Sequence, residues 1–131
     1  MAKYVFPAIF TAEEEGGYSI AFPDIEGCYT CGDDLPDGIF MAEDALALVL
    51  YEYEKDSRAI PEPSKPEALH LNENEFIDLI AADTLAYQKR FNTKAVKKTL
   101  TIPEWLNELA MKANVNFSQV LQEALKERLR A

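Results

Sequence analysis

The residues that decide the fold of the N-terminal part of the chain read YSIAFPDIEGCYTCGDD, at positions 18–34. Positions 18–22 and 28–31 have the aromatic and β-branched composition of short strands, and a loop that contains proline and glycine separates them. Upstream, residues 3–12 predict a longer strand, which the acidic turn at 13–17 connects to the next strand as a hairpin. The segment therefore predicts three antiparallel strands.

Downstream of these strands, the apolar residues change to a helical spacing. They recur every three or four positions over residues 39–53, and Asp37 is expected to cap this helix. The proline-rich stretch at 60–66 imposes an extended connection, residues 76–82 predict a fourth strand, and a short helix follows up to Phe91. We therefore expect an α+β domain of order β-β-β-α-β with a short final helix.

The last part of the chain predicts a smaller unit of strand-helix-helix order. Residues 96–102 alternate between mainly apolar and polar side chains, Pro103 suits the start of a helix, and Asn116 with Gln119 resembles a capping box that opens a final helix. Roughly 35 residues of this kind cannot bury their apolar faces alone, so we expect the segment to pair with a second copy of itself. The residues expected in the core of that homodimer are Leu100, Ile102, Trp105, Leu121 and Leu125.

Charge divides the chain at the same place. Residues 1–92 carry 6 Lys/Arg and 19 Asp/Glu, a net charge of -13, whereas residues 93–131 carry 7 and 4, a net charge of +3. An acidic domain suits a basic partner, and a basic tail, doubled in a dimer, is compatible with phosphate contacts. The simpler interpretation is a solvated acidic surface that favours solubility. We expect two domains, at residues 1–92 and 93–131.

Composition argues against several classes of protein. The longest apolar run, at 45–50, is far shorter than the roughly 20 residues of a spanning helix, and the N-terminus lacks the pattern of a secretory signal. We therefore expect a cytoplasmic protein without membrane contact. Cys28 and Cys31 form a Cys-x-x-Cys pair, but His70 is the single histidine, and residues three apart on a strand point to opposite faces. We expect packing roles for both cysteines, no metal site and no cofactor.

Two stretches of the tail are similar to the ribbon-helix-helix family of DNA-binding proteins, KKTLTIP at 97–103 and NFSQVL at 116–121. The resemblance covers about residues 96–130 and implies that strands from two copies form a ribbon in the DNA major groove. The base-contacting residues that it implies are Lys97, Thr99 and Thr101. The phosphate-contacting residues that it implies, at the start of the second helix, are Asn116, Phe117 and Ser118. Gln119 is a departure, because many family members carry a basic residue nearby.

The N-terminal part resembles HicB antitoxins of type II toxin-antitoxin systems, through FPDIEGC at 22–28 and PEPS at 61–64. Together with the tail, the resemblance covers nearly the whole chain. It implies a truncated ribonuclease H-like sheet and, as partner, a small basic HicA-type toxin ribonuclease. It further implies an antitoxin that neutralises this toxin and binds its own operator double-stranded DNA to autoregulate transcription. Such a protein is a homodimer through its C-terminal domain, and pairing into tetramers stays open.

An enzymatic role is not expected. A ribonuclease H site needs carboxylates that converge on paired cations, beginning on the first strand, and residues 3–12 contain none. The acidic residues lie in loops instead, where they can steer a basic toxin into contact. The residues to which we assign toxin binding are Glu13, Glu14, Glu15, Asp24, Glu26, Asp33 and Asp34.

Two other functions fit the same residues. The first is a ribbon-helix-helix transcriptional regulator whose N-terminal domain senses a small-molecule ligand. A neighbouring short gene for a basic protein would favour the antitoxin over this sensor. The second is a dimeric adaptor without DNA binding, in which Thr99 and Thr101 are only strand formers and Lys97 is only a solubilising charge.

Overall fold

The computed structural model describes residues 3–131, which fall into two compact units with their boundary in the chain between Lys94 and Ala95. In the N-terminal unit the strands are β1 (Lys3–Ala12), β2 (Tyr18–Ala21), β3 (Tyr29–Gly32) and β4 (Glu75–Asp83). All neighbouring strands pair antiparallel, and their order across the sheet is β3-β2-β1-β4. The predicted hairpin, third strand and fourth strand are therefore confirmed.

Helices complete the N-terminal unit in the expected order. Helix α1 (Leu35–Lys55) follows β3, a single 3-10 turn (Pro66–Ala68) lies in the proline-rich connection, and α2 (Thr84–Phe91) follows β4. The Asp83 side chain caps α2 by accepting hydrogen bonds from the backbone N–H groups of Leu85 and Ala86 at 3.0 and 3.1 Å. The predicted α+β class is confirmed.

The core of this unit lies on one face of the sheet, against α1. Phe6, Ala8 and Phe10 alternate along β1 and are almost completely buried, together with Leu46 and Leu50 of α1. Burial of each large apolar side chain contributes about 1.5 to 3 kcal/mol relative to its exposed state. Alternate residues of β1, a strand predicted from its composition, and residues four apart on α1, a helix predicted from its apolar spacing, therefore meet in one cluster.

The N-terminal cap of α1 differs from the expectation. Asp34, and not Asp37, is the capping residue, and its Oδ1 accepts a hydrogen bond from the Asp37 N–H at 2.9 Å. Asp37 lies in the first turn, where its Oδ2 accepts from the Asp33 N–H at 2.9 Å. The helix begins one turn earlier because Pro36, which has no N–H to satisfy, is well accommodated in the first turn.

The C-terminal unit contains α3 (Glu104–Lys112) and α4 (Phe117–Leu129). Both predicted helices are confirmed, and Asn116 caps α4 by accepting from the Gln119 N–H at 3.1 Å. The strand predicted at 96–102 is not formed: residues 92–103 contain neither strand nor helix in the single chain. A strand needs a hydrogen-bonded neighbour, and within one chain this unit offers no second strand to serve as one.

Candidate protein-binding and DNA-binding sites

The seven acidic residues assigned to toxin binding lie at two opposite ends of the sheet. Glu13 in the turn after β1 and Asp33 and Asp34 after β3 line one open depression of about 440 Å³. Asp24 and Glu26 lie in the loop that connects β2 to β3, at the other end of the sheet. The length of β2 separates the two groups by ~13 Å. The structure therefore brings together only part of the set that the sequence suggested.

Three of these carboxylates also have structural contacts. Asp24 accepts hydrogen bonds from the backbone N–H of Ser64, at 2.9 Å, and from its hydroxyl. Asp34 caps α1, and Glu13 accepts from the Ser19 hydroxyl at 2.6 Å. The contact between Asp24 and Ser64 joins the two motifs, FPDIEGC and PEPS, on which the resemblance to HicB rests. Glu14, Glu15, Glu26 and Asp33 have exposed side chains.

A further site in the N-terminal unit was not anticipated. The groove between α1 and α2, called the α1–α2 groove below, has a volume of about 260 Å³ and is lined by both helices and the end of β4. Phe40 and Phe91 are 54% and 55% exposed at its walls. Phe40 lies next to the apolar positions that predict the buried face of α1. An aromatic residue outside a helix's apolar stripe was the one signal in the sequence that could have indicated this site.

An aromatic cluster supports one side of the α1–α2 groove. The ring centroid of Tyr87 lies 5.6 Å from that of Tyr51 and 4.6 Å from that of Phe91, and the Arg90 guanidinium lies 4.9 Å from the Phe91 centroid. Burial raises the pKa of Tyr87, and the negative charge of Asp44 raises it further. The groove therefore combines exposed aromatic rings with the acidic side chains of Glu43, Asp44 and Asp83 in its lining.

The cysteines occupy opposite environments, as the strand alternation predicted. The Cys28 thiol is buried, and this burial raises its pKa to about 11, whereas Cys31 is exposed; both are free. A thiol with so high a pKa is protonated at neutral pH and is a poor nucleophile or metal ligand. The packing role expected for both cysteines is therefore wrong for Cys31, whose place on the strand faces solvent. Among residues 3–131, no three Cys, His, Asp or Glu side chains lie close enough to hold a metal ion. Over the same residues, no helix has the length and apolar character needed to span a bilayer.

The residues assigned to DNA contact lie in two places of the C-terminal unit. Lys97, Thr99 and Thr101 are exposed in the segment that precedes α3. Phe117 and Ser118 form the first turn of α4, where backbone N–H groups have no partner within the helix. The Ser118 hydroxyl oxygen accepts a hydrogen bond from the Gln122 side chain at 3.2 Å. The start of α4 thus has the polarity of a phosphate-binding helix terminus.

The residues expected at the dimer core are largely uncovered in the single chain. Leu100 and Trp105 are each 63% exposed, Ile102 and Leu125 are also exposed, and Leu121 is half-buried. No residue of α3 or α4 is buried. So many exposed apolar side chains in a unit of this size are typical of an interaction site.

The sequence model of the family described as HicB-like antitoxin of bacterial toxin-antitoxin systems matches residues 6–128. This match spans nearly all of both units. The chain therefore belongs to the HicB-like antitoxin family, which is a family of antitoxins and not of enzymes.

Individual relatives match shorter parts of the chain. An uncharacterised 14.9 kDa protein of Haemophilus phage HP1 is 28% identical over 90 residues, which are 69% of this chain and 67% of the phage protein. Antitoxin HicB 1 of Photorhabdus laumondii is 40% identical over 58 residues, 44% of this chain and 37% of its own length. Antitoxin HicB of Escherichia coli is 36% identical over 59 residues, 45% of this chain and 43% of its own length. The matched region thus covers less than half of either antitoxin.

Solved structures match over almost the full length. A toxin-antitoxin complex from Streptococcus pneumoniae contains a chain with a TM-score of 0.64 and 25% identity, and the match covers 97% of this chain and 99% of that one. The antitoxin HicB of Burkholderia pseudomallei has a TM-score of 0.55 at 18% identity, over 96% and 98% of the two chains. The mixed α+β fold is therefore that of HicB antitoxin structures.

Proposed function

We propose that this chain neutralises a HicA-type toxin ribonuclease through its N-terminal unit and represses its own promoter through its C-terminal unit. The observation that carries the proposal is the family match over residues 6–128, because it includes both units. A HicA3 and HicB3 toxin-antitoxin complex is also among the similar structures, with a TM-score of 0.51, and covers 61% of this chain and 99% of that one. We assign toxin binding to residues 1–92 and DNA binding to residues 93–131.

Charge supports the assignment of toxin binding to the N-terminal unit. The net charge of -13 over residues 1–92 attracts a basic ribonuclease and accelerates the diffusional encounter. An acidic protein that covers the RNA-binding surface of a ribonuclease excludes the phosphate backbone of RNA. Inhibition then needs no catalytic residue in the antitoxin.

Features of the C-terminal unit support DNA binding by a homodimer. Two copies of the 96–102 segment, paired antiparallel, would supply to each other the hydrogen-bonding partner that the single chain lacks. The exposed apolar residues, Leu100 and Trp105 among them, would then be buried between copies. Lys97, Thr99 and Thr101 alternate with these residues and would face the DNA bases. This arrangement is a ribbon-helix-helix.

Co-expression with a toxin gene tests the antitoxin function. If a neighbouring short gene encodes a basic HicA-type protein, we expect this chain to co-purify with the product and to relieve its growth arrest. Ribonuclease activity measured on purified toxin should fall as this chain is added in stoichiometric amount. A toxin that remains active and unbound in the presence of the folded chain would refute the proposal.

Operator binding is tested separately. The full chain should retard DNA from upstream of its own gene, with an affinity at least about 10³ greater than for unrelated DNA of equal length. Equal affinity for both fragments would leave the toxin-binding function standing and contradict autoregulation.

A further inference from the structure

We infer that the α1–α2 groove receives an arginine or lysine side chain of a basic partner protein. The identification of this partner as the toxin rests on the function proposed above. The site itself rests on the groove's shape, exposed rings and charge. It lies apart from the turn at Glu13 and from the Asp24 loop, to which the sequence pointed.

The groove offers apolar surface that a long side chain can cover. Ala47 and Ala82 are buried at its base, so the floor is formed by small side chains and leaves room for an inserted group. Phe40 and Phe91 stand at the walls with more than half of each ring exposed. Aromatic side chains, phenylalanine among them, are enriched at protein interfaces relative to the rest of the protein surface.

The charge of the groove selects a cation. Glu43, Asp44 and Asp83 line it, against a single basic residue, Arg90. Burial is the main cause of the raised pKa of Tyr87, and the negative charge of Asp44 raises this pKa further. A second copy of this acidic unit would bring like charges together there, which disfavours self-association through this surface.

Arg90 shows how such a cation can bind. Its guanidinium already lies over the Phe91 ring, within the distance of about 6 Å at which a cation and an aromatic face attract each other. An incoming arginine or lysine can pack its aliphatic stem against Phe40 and Phe91 and direct its charge toward Asp44. Arg90 therefore occupies one side of the groove and competes with the partner's cation.

A pair of matched double variants tests the site in the full chain. Phe40→Ala/Asp44→Asn removes one exposed ring and one carboxylate from the groove. Tyr29→Ala/Glu67→Gln removes the same two kinds of group from exposed positions in β3 and in the 3-10 turn of the proline-rich connection. We expect the first pair to weaken toxin binding, measured by titration calorimetry, by at least about tenfold, and the second by less than about twofold. Equal losses, with both variants folded by circular dichroism, would overturn the inference.

A second variant gives a gain of affinity, which misfolding cannot imitate. Arg90→Ala removes the competing guanidinium, and Lys89→Ala removes an equal charge from the adjacent exposed position. We expect Arg90→Ala to tighten toxin binding by about threefold or more relative to Lys89→Ala. Equal affinities for these two variants would show that Arg90 does not occupy the site that the partner uses.

Argininamide tests the groove without the toxin. In a ¹H–¹⁵N correlation titration of the full chain, the amides of Ala47, Ala86 and Phe91 should shift most. If these amides shift but the toxin does not bind the chain, the proposed function is wrong, whereas the inference that the groove binds a cation is retained. If the shifts centre on Glu13 to Glu15 instead, the inference fails. Groove shifts that depend on protein concentration alone would indicate a second copy as the occupant and would also overturn it.

Discussion

Gly32 and Gly38 lie against each other where β3 meets α1. A Cβ atom on Gly32 would stand 2.3 Å from the Gly38 Cα, and backbone atoms cannot yield as a side chain can. A Cβ atom on Gly38 would instead meet side-chain atoms of Phe10 and Ile20 at 3.2 and 3.3 Å. The same added methyl group therefore meets two different kinds of neighbour.

We predict that Gly32→Ala lowers the free energy of unfolding by about 2 kcal/mol or more, because β3 must move away from α1. Gly38→Ala should change it by less than about 1 kcal/mol, since small side-chain shifts relieve the contact and alanine is the better helix former by about 1 kcal/mol. Urea unfolding of both variants measures the difference. Equal losses would mean that the close approach of the two backbones is not retained in solution.

The two cysteines should react differently. With Cys28 buried and its pKa raised to about 11, and Cys31 exposed, a thiol reagent at pH 8 should modify one group per chain in native protein and two in denaturant.

The raised pKa of Cys28 also predicts how the free energy of unfolding depends on pH. Cys28 favours the folded state below about pH 8.5, where an unfolded thiol is neutral, and this contribution is lost as the pH rises toward 11. Cys28→Ser should reduce that alkaline loss; an unchanged pH profile would contradict the assignment.

The segment before α3 becomes a defined element only if a second chain pairs with it. Its alternation assigns neighbouring residues to opposite faces: Thr99 and Thr101 to DNA, Leu100 to the dimer core. In the single chain the Leu100 side chain is 63% exposed, so its burial would come wholly from the partner. Substitutions at Thr99 and Thr101 should therefore affect DNA recognition, whereas a substitution at Leu100 should affect the stability of the dimer.

We predict that Thr99→Ala and Thr101→Ala each reduce discrimination between operator and unrelated DNA by roughly 1 to 3 kcal/mol while the melting temperature stays nearly unchanged. Leu100→Ala should destabilise the dimer by about 2 to 5 kcal/mol and weaken binding to all DNA alike. Lys97→Ala should lower the salt dependence of binding if the lysine contacts phosphate. Operator titrations at two salt concentrations, with a melting curve for each variant, measure these effects. If the threonine variants destabilise the dimer and Leu100→Ala does not, the assignment of these residues to the two faces of the strand is wrong by one residue.

Across the whole chain, exposed apolar surface is concentrated in the C-terminal unit and negative charge in the N-terminal unit. We predict that the full chain is at least a dimer at micromolar concentration by light scattering, because α3 and α4 bury no residue alone. Leu100→Ala should shift the mass toward the monomer. A wild-type monomer in which Trp105 fluorescence reports burial would contradict dimerisation.

The charge distribution predicts how the toxin approaches. Replacing Glu13, Glu14 and Glu15 with Lys should slow toxin association and reduce its salt dependence, while operator affinity is retained or increased. The matched control replaces three exposed acids of the connection before β4 with Lys, at positions 62, 67 and 73. Stopped-flow rates at two salt concentrations compare the two. If the control slows association as much, net charge alone steers the toxin, and the turn after β1 has no special part.

Local patterns were sufficient for most elements. Strand composition over residues 3–12 and helical spacing over 39–53 were enough to predict these elements, because both depend on neighbours close in the chain. The α4 cap Asn116 was recognisable for the same reason, since its side chain accepts a hydrogen bond from the N–H three residues further on. The α1 cap was predicted one turn away from its actual position at Asp34. The motifs around Asp24 and Ser64 identified the family before their contact was visible.

Tertiary structure decided what depends on distant residues. Asp24 meets Ser64 across 40 positions, and the α1–α2 groove brings Phe40 beside Phe91, so no local period could reveal either. The acidic loop residues that the sequence suggested as one toxin-binding group lie at two separate places, because they flank opposite ends of β2. The segment at 96–102 shows the limit of the sequence-based prediction. The sequence contains the alternation typical of a strand, but a strand forms only where a neighbouring strand pairs with its N–H and C=O groups. Within one chain no such neighbour is present.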